Sequence, residues 1–504
     1  MRPGDQRAVV AEAVDQATAA DLHLDDIVAA LCAGADRAWL RPQYLTPLTD
    51  ADAVAYRLEV FRDLASPGLR EACSRFAAGI GAAQAQLTHA ARLINRHERN
   101  RWLAEAAMTY CTSVADLVAA LAMATISSRA LGGVREALQT HVALAGHTGL
   151  VAETTSVLAG LAAVAYRLDI DENTLTVARD DGADDYGAEI LATFARFRQA
   201  GAAPLPVDVF RTSDMNVVEV GILERVVRLH PAVFADLDAF PGHHPDPIDP
   251  GVAAFANELA FYLAYLEMMD PLVAAGLAFS HPIVGIGPAG MRADGLFDLA
   301  LACNRGDEAG AVVTNDVAVQ PGERRIVVTG ANQGGKTTLA RALGLLHHLA
   351  SIGVPVPARA ASLQLADRVY ALFERLDDGA RTGGRVEADL ERARAITDAI
   401  SPSSLVILNE AFSATTVADA LALNRAVLTR IAAKGAMCVV VTFLAELADP
   451  DAGTVSLVGR VEPGDGAGRT YRFERRPPDG MARAQTLVER HQLDYASVVQ
   501  RLAP

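Results

Sequence analysis

Gly330-Ala331-Asn332-Gln333-Gly334-Gly335-Lys336-Thr337 reads G-x-x-x-x-G-K-[ST], the spacing of a phosphate-binding loop. Before it, Ile326-Val327-Val328 is a short apolar run that predicts a buried strand. After it, Thr338-Leu339-Ala340-Arg341-Ala342-Leu343 continues as a helix. Strand, glycine loop and helix together aim successive backbone N–H groups and a helix N-terminus at an anion. The lysine sharpens this reading. Of 45 lysines and arginines in the 504 residues, only Lys336 and Lys434 are lysine. The chain takes Arg as its generic cation, so Lys336 answers a chemical need: a compact ammonium fits between phosphate oxygens where a planar guanidinium does not. The alternative is a glycine turn that holds no ligand.

Working outward, the pattern beyond residue 278 is one of short apolar runs separated by helices. The runs 326–328, 405–408 and 439–441 predict central parallel strands buried on both faces, and 455–458 with 470–473 predict a hairpin. Upstream, residues 8–170 are Ala/Leu-rich and helical in period, with Leu58, Phe61 and Leu64 on one face and Pro67-Gly68 as punctuation. Residues 168–250 are Asp-rich and interrupted by Gly and Pro, with Thr174-Leu175-Thr176-Val177 a possible strand. The stretch 241–251 (PGHHPDPIDPG) reads as a loop, in which His243, His244 and Asp246 offer a metal site or simply a solvated turn. Helix resumes over 252–274, where Phe261, Tyr262, Tyr265 and Leu266 read as packing, since no basic residue interleaves with them.

A phosphate loop that works on its ligand needs a metal-organising strand and a group that polarises water. Ser404-Leu405-Val406-Ile407-Leu408-Asn409-Glu410 is an apolar strand ending in a polar pair. The usual order is Asp then Glu. Here Asn409 removes one formal charge beside the metal, which it would reach through water, and Glu410 is the candidate general base. Thr337 would give its hydroxyl to Mg²⁺. A strand that simply ends in two solvent-facing polar residues is the other reading.

Composition narrows the class. A net charge of -16 argues against a basic surface that coats nucleic acid, without excluding a local arginine face. The five cysteines are scattered without C-x-x-C spacing, as in a reducing compartment. The N-terminal MRPGDQRAVV has no apolar signal core, and Asp116 and Arg167 break the most hydrophobic windows. A soluble, cytoplasmic protein with no membrane partner is the expectation.

The residues also resemble a family. GANQGGKTTLARALGLLHHLASIGVPVPA is similar to the loop segment of the MutS mismatch-repair ATPases, including the turn at Gly353, Val354, Pro357 and Ala358. The likeness continues through Asn315-Asp316, Asp367-Arg368-Val369, SLVILNEAFSATT and VTFLAEL, and PLTDADAVAYRLEVFRDL resembles the start of the family's helical core. The fold implied is multidomain: an all-α core/lever domain (1–170), an irregular or reduced clamp-like segment with returning lever helices (171–277), and an α/β P-loop ATPase domain of ABC type (278–504). The resemblance implies ATP and Mg²⁺ as cofactors and a homodimer through the ATPase domains that binds DNA between its arms. Gly330, Asn332, Gly334, Gly335, Lys336, Thr337 and Thr338 would bind ATP, with Lys336 and Glu410 catalytic.

The departures shape the expectation further. Phe443 stands where the family has a histidine that senses the γ-phosphate, and Asn409 stands for the metal-organising Asp. The Ser-Thr-Phe signature is replaced by Thr382-Gly383-Gly384-Arg385-Val386-Glu387, where Arg385 or Arg381 is a candidate arginine finger and a solvated loop is the alternative. A mismatch-reading domain with its Phe-x-Glu wedge is expected to be missing, as is a nuclease domain. The functional expectation is slow ATP hydrolysis coupled to DNA binding, in mismatch repair or related DNA maintenance, without direct mismatch readout. Two alternatives remain open: an ATP-gated protein-interaction clamp that does not touch DNA, and a nucleotide-binding structural dimer with little hydrolysis.

Overall fold

The structure, a computed structural model, describes residues 12–32, 38–172, 174–180, 182, 215–285, 290–374, 384–448, 453–461 and 469–478. They form two compact units, one of residues 1–65, 127–130 and 260–504, the other of residues 66–126 and 131–259.

The first unit is built on a six-stranded sheet. Its strands are β6 (Arg325–Thr329), β8 (Val369–Phe373), β9 (Leu405–Asn409), β10 (Met437–Val441), β11 (Thr454–Val461) and β12 (Arg469–Arg475), in the order β12-β11-β6-β10-β9-β8. All neighbours are parallel except β11 and β12, which pair antiparallel as the expected hairpin. Alternate residues of the central strands face two different helical layers. Val406, Leu408, Cys438 and Val440 pack with Phe412, Val427, Leu428 and Ile431, the last three on helix Val417–Lys434. On the other side, helix Lys336–Ser351 lies so close that a Cβ on Gly344 would meet Ile407 Cδ1 at 2.6 Å. Burial on both faces is the reason these strands read as continuous apolar runs.

β8 was not expected as a strand, and what covers its free edge was not expected either. Helix Gln16–Asp21 lies against it. Thr18 Oγ1 accepts from Ala371 N at 3.1 Å, and Asp21 Oδ2 accepts from Phe373 N at 3.2 Å and from Arg392 Nη2 at 2.7 Å. Two donors that an edge strand would leave open are thus satisfied by side chains. Residues 1–65 therefore group with the loop-bearing unit and not, as expected, with the helices that follow them.

A second sheet of the same unit consists of β3 (Ile283–Gly285), β4 (Met291–Leu296), β5 (Asn315–Val319) and β7 (Ala360–Gln364), in the order β3-β7-β4-β5. The aromatics at 261–265 are packing residues. Phe261, Tyr262 and Tyr265 are buried around Phe61, and the Tyr265 hydroxyl donates to Pro355 O at 2.7 Å.

The second unit is largely helical. Helices Pro67–Ala90 and Arg96–Met123 pair, and helices Ala145–Ala162 and Pro231–His243 pack on the latter. Pro67-Gly68 opens a helix, with Pro in its first turn, and does more than end the one before. Strands β1 (Tyr166–Asp171) and β2 (Thr174–Arg179) form an antiparallel hairpin around the expected strand. The stretch 241–251 is not all loop: Pro241 lies within helix Pro231–His243. His243 Nδ1 and His244 Nε2 approach the two carboxylate oxygens of Glu153 at 2.8 and 2.9 Å. Among the described residues no group of three His, Cys, Asp or Glu side chains is arranged to hold a metal. Of the described helices, only Arg96–Met123 is long and apolar enough to cross a membrane by length and composition.

Candidate functional site

Register gathers the site at one end of the large sheet. Val328 of β6 pairs with Val441 of β10, Val441 with Asn409 of β9, and Asn409 with Phe373 of β8. Whatever follows these four residues therefore leaves the sheet along the same edge: the glycine loop, Thr442-Phe443, Glu410 and Glu374. This is the carboxyl edge of parallel strands, where open α/β sheets bind ligands.

The loop makes its turn through left-handed backbone at Gln333 (φ 56°) and Gly335 (φ 89°). Gly334 N donates to Ala331 O at 3.2 Å within the turn. Gly335 is the N-cap of helix Lys336–Ser351 and has no side chain to cap it. The first intrahelical bond runs from Leu339 N to Gly335 O at 2.9 Å. Helix geometry thus leaves the amides of Lys336, Thr337 and Thr338 without intrahelical acceptors, an arrangement suited to an anion.

Lys336 is buried, and its ammonium has several neighbours. Nζ donates to Gly330 O at 3.2 Å, Ala331 O at 3.4 Å and Asn332 Oδ1 at 3.5 Å. It lies 3.7 Å from Glu410 Oε1 and 3.8 Å from the centroid of the Phe443 ring. Burial lowers the proton affinity of Lys336, opposed by Glu410. Burial likewise raises that of Glu410, opposed by Lys336 and reinforced by nearby Glu374. Both groups shift toward their neutral forms because their separation is too long for charge pairing to offset desolvation. All three contacts within the loop are long for hydrogen bonds, so the ammonium is held loosely at a place where anionic oxygens would serve it better.

Thr337 Oγ1 donates to Asn409 Oδ1 at 3.1 Å. Thr337, Asn409 and Glu410 each offer a side-chain oxygen, which suits a hard cation such as Mg²⁺. With a single carboxylate among them, a divalent ion here depends on oxygens brought by a ligand, the usual arrangement when Mg²⁺ travels with phosphates. Glu410 holds a left-handed backbone (φ 53°), and its N–H donates to Val441 O at 2.9 Å. The strand end is strained and pinned, so the carboxylate is presented at a set place.

Nearly all the residues singled out from the sequence meet here: Gly330, Asn332, Gly334, Gly335, Lys336, Thr337, Thr338, Asn409, Glu410 and Phe443. Of the signature stretch, Arg381, Thr382 and Gly383 lie outside the described residues. Gly384 is the N-cap of helix Arg385–Ala399. Arg385 Nη2 donates to Glu374 Oε1 of its own chain at 2.9 Å. Glu374 was missed, although it had a signal: it directly follows the five-residue apolar run 369–373, as Glu410 follows the strand 405–409. Its carboxylate also accepts from Ser413 Oγ at 2.7 Å.

Comparison with known proteins agrees with this geometry: residues 326–458, from β6 into β11, match the family described as MutS domain V. Over this segment the chain is similar to MutS proteins. It is 34% identical over 161 residues to the endonuclease MutS2 of Gemmatimonas aurantiaca, which covers 32% of the chain and 19% of that protein. It is 35% identical over 135 residues to the DNA mismatch repair protein MutS of Granulibacter bethesdensis, covering 27% and 15%. The MutS of Prochlorococcus marinus is 31% identical over 122 residues, covering 24% and 13%. The similarity to MutS thus spans less than a fifth of each relative's length, and the domain V match contains the loop, Asn409, Glu410 and Phe443.

Proposed function

We propose that the chain is a MutS-like ATPase that binds Mg²⁺·ATP at the 330–337 loop and hydrolyses it slowly. The observation that carries this is the loosely held Lys336 ammonium beside three open helix amides. Phosphate oxygens of ATP replace the long contacts to Gly330 O, Ala331 O and Asn332 Oδ1, and Gly335 and Thr338 border the same cradle. Thr337 and, through water, Asn409 would hold Mg²⁺, which would supply charge neutralisation on the phosphates. Glu410 takes the proton of the attacking water, and its raised proton affinity makes it a stronger base than an exposed carboxylate. Two features favour slow turnover. Asn409 brings no charge to the metal, and the Phe443 ring occupies one side of the ammonium that a ligand must reach.

The names of the relatives, a DNA mismatch repair protein and an endonuclease, support an extension to DNA: the chain acts as a homodimer on DNA, with contacts to the phosphate backbone. The net charge of -16 favours a second reading, a nucleotide-gated clamp on another protein. Lys336→Ala tests the nucleotide site. The variant is expected to keep its fold and lose the thermal stabilisation that Mg²⁺·ATP gives the wild type, because ligand binding raises stability by mass action. Stabilisation equal to wild type in the variant refutes the assignment. A DNA-binding titration against salt separates the two readings, since phosphate contacts give a steep negative slope and a protein clamp gives no binding at all.

A further inference from the structure

The C-terminal hairpin lies against the phosphate loop, and one of its residues is held in an unusual way. Tyr471 of β12 has a φ of 54°, in the left-handed region that an aromatic residue rarely adopts. Asn315, at the start of β5, holds the strand at and just after it: Nδ2 donates to Tyr471 O at 3.1 Å and Oδ1 accepts from Phe473 N at 2.8 Å. Thr470 Oγ1 donates to Arg460 O at 2.7 Å and accepts from Arg472 N at 3.3 Å, which braces the residues next to it. The result is a ring turned onto the loop. A Cβ built on Gly335 would lie 3.3 Å from Tyr471 Cδ1. Yet Tyr471 remains 45% exposed, whereas Phe473 is buried and reaches both Gly335 and Gly459. Phe473 therefore does the packing. Tyr471 presents a flat, open, apolar face at the point where the loop becomes a helix.

We propose that Tyr471 is the platform on which the base of the bound nucleotide rests. This deepens the nucleotide reading above and rests on it: the phosphates lie on the Gly335–Thr338 amides, and the base lies against the ring. Strained backbone that two hydrogen bonds from one buried asparagine keep in place is the pattern of a pre-set binding surface. Stacking is tolerant of base identity because every base has a π-face. Tyr471 therefore supplies affinity for nucleoside triphosphates as a class, and ATP and GTP share the platform.

The experiment measures binding of ATP, GTP and inorganic tripolyphosphate, each with Mg²⁺, to the full chain by calorimetry. Wild type is compared with Tyr471→Ala, Tyr471→Leu and Tyr471→Phe. The expected result is that Ala and Leu weaken ATP and GTP about tenfold, Phe keeps wild-type affinity, and tripolyphosphate binds all four proteins equally. Leu keeps apolar contact with Gly335 but has no ring, so it carries the comparison with Phe if the Ala variant does not fold. Equal weakening of tripolyphosphate and ATP would mean that Tyr471 only shapes the loop, and unchanged ATP binding in the Leu variant would mean that no base touches it. Either overturns the platform while leaving the loop assignment standing. Wild type that binds neither ATP nor tripolyphosphate overturns the loop assignment itself.

Discussion

Replacing Asp21 by alanine should destabilise the loop-bearing unit far more than a residue so remote in sequence from the loop would suggest. Its Oδ2 accepts from Phe373 N at 3.2 Å and from Arg392 Nη2 at 2.7 Å, and the carboxylate side chain is only 6% exposed. Alanine removes the acceptor of both bonds. The Phe373 N–H is left without its bond on the free edge of β8, at about 1–3 kcal/mol for an unsatisfied buried donor. The Arg392 guanidinium loses a charge-assisted bond of about 1.5–3 kcal/mol, although it keeps a bond to Ala371 O at 2.5 Å. The sum is about 2.5–6 kcal/mol, which brackets the about 3–5 kcal/mol observed when one partner of a buried ion pair is removed. Asp21→Asn keeps an acceptor and loses the charge, so about 1–2 kcal/mol is expected. Urea unfolding followed by circular dichroism gives the totals, and amide exchange at Ala371 and Phe373 locates them. A double-mutant cycle with Arg392→Ala should return a coupling of about 1.5–3 kcal/mol. If Asp21→Ala costs under about 0.5 kcal/mol and leaves exchange at Phe373 unchanged, the helix Gln16–Asp21 does not cap this sheet.

Three further outcomes are expected. Asn409→Asp puts a charge beside the Thr337 hydroxyl, so half-maximal phosphate release should need less Mg²⁺, whereas Glu410→Gln should bind ATP and release no phosphate; phosphate release across a magnesium titration checks both, and wild-type turnover by Glu410→Gln would place the base elsewhere. Gly335→Ala demands left-handed backbone of a residue with a Cβ and presses that Cβ on Tyr471 Cδ1 at 3.3 Å, so it should cost about 1–2 kcal/mol from the backbone alone and weaken nucleotide binding, both readable in one thermal-shift series with and without Mg²⁺·ATP. His347 and His348 are buried, which pushes each down to about 4. Near pH 7 both states hold these histidines neutral and the stability is fully present; as pH falls from about 6.5 toward 4 the unfolded chain takes up protons that the folded one refuses, and about 3 kcal/mol per histidine is lost. Unfolding free energies of wild type and His347→Leu from pH 7 to 5 should converge as the pH falls, and parallel curves would contradict the burial of this ring.

What could be read along the chain was what adjacent residues decide among themselves. The G-x-x-x-x-G-K-[ST] spacing, the apolar run before it and the near-absence of other lysines located the loop, because a phosphate cradle is made of consecutive amides. The runs 326–328, 405–408 and 439–441 announced parallel strands, because burial on both faces removes alternation. Asn409 and Glu410 followed from their place at the end of such a run. The hairpin of β11 and β12 was legible as two apolar stretches, but its position beside the loop was not. That position depends on Asn315, which reaches Phe473 across 158 residues. The Phe443 ring over Lys336 was likewise invisible, since it follows from the register of β10 against β6. The docking of Thr18 and Asp21 on β8 spans more than 350 residues and leaves no local trace, because a cap on an edge strand is written in two distant segments that each look ordinary. The same holds for the boundary of the loop-bearing unit, which takes residues 1–65 across the helices that separate them in sequence. Chain-local hydrogen bonding and periodicity placed the chemistry, and only long-range packing decided what surrounds it.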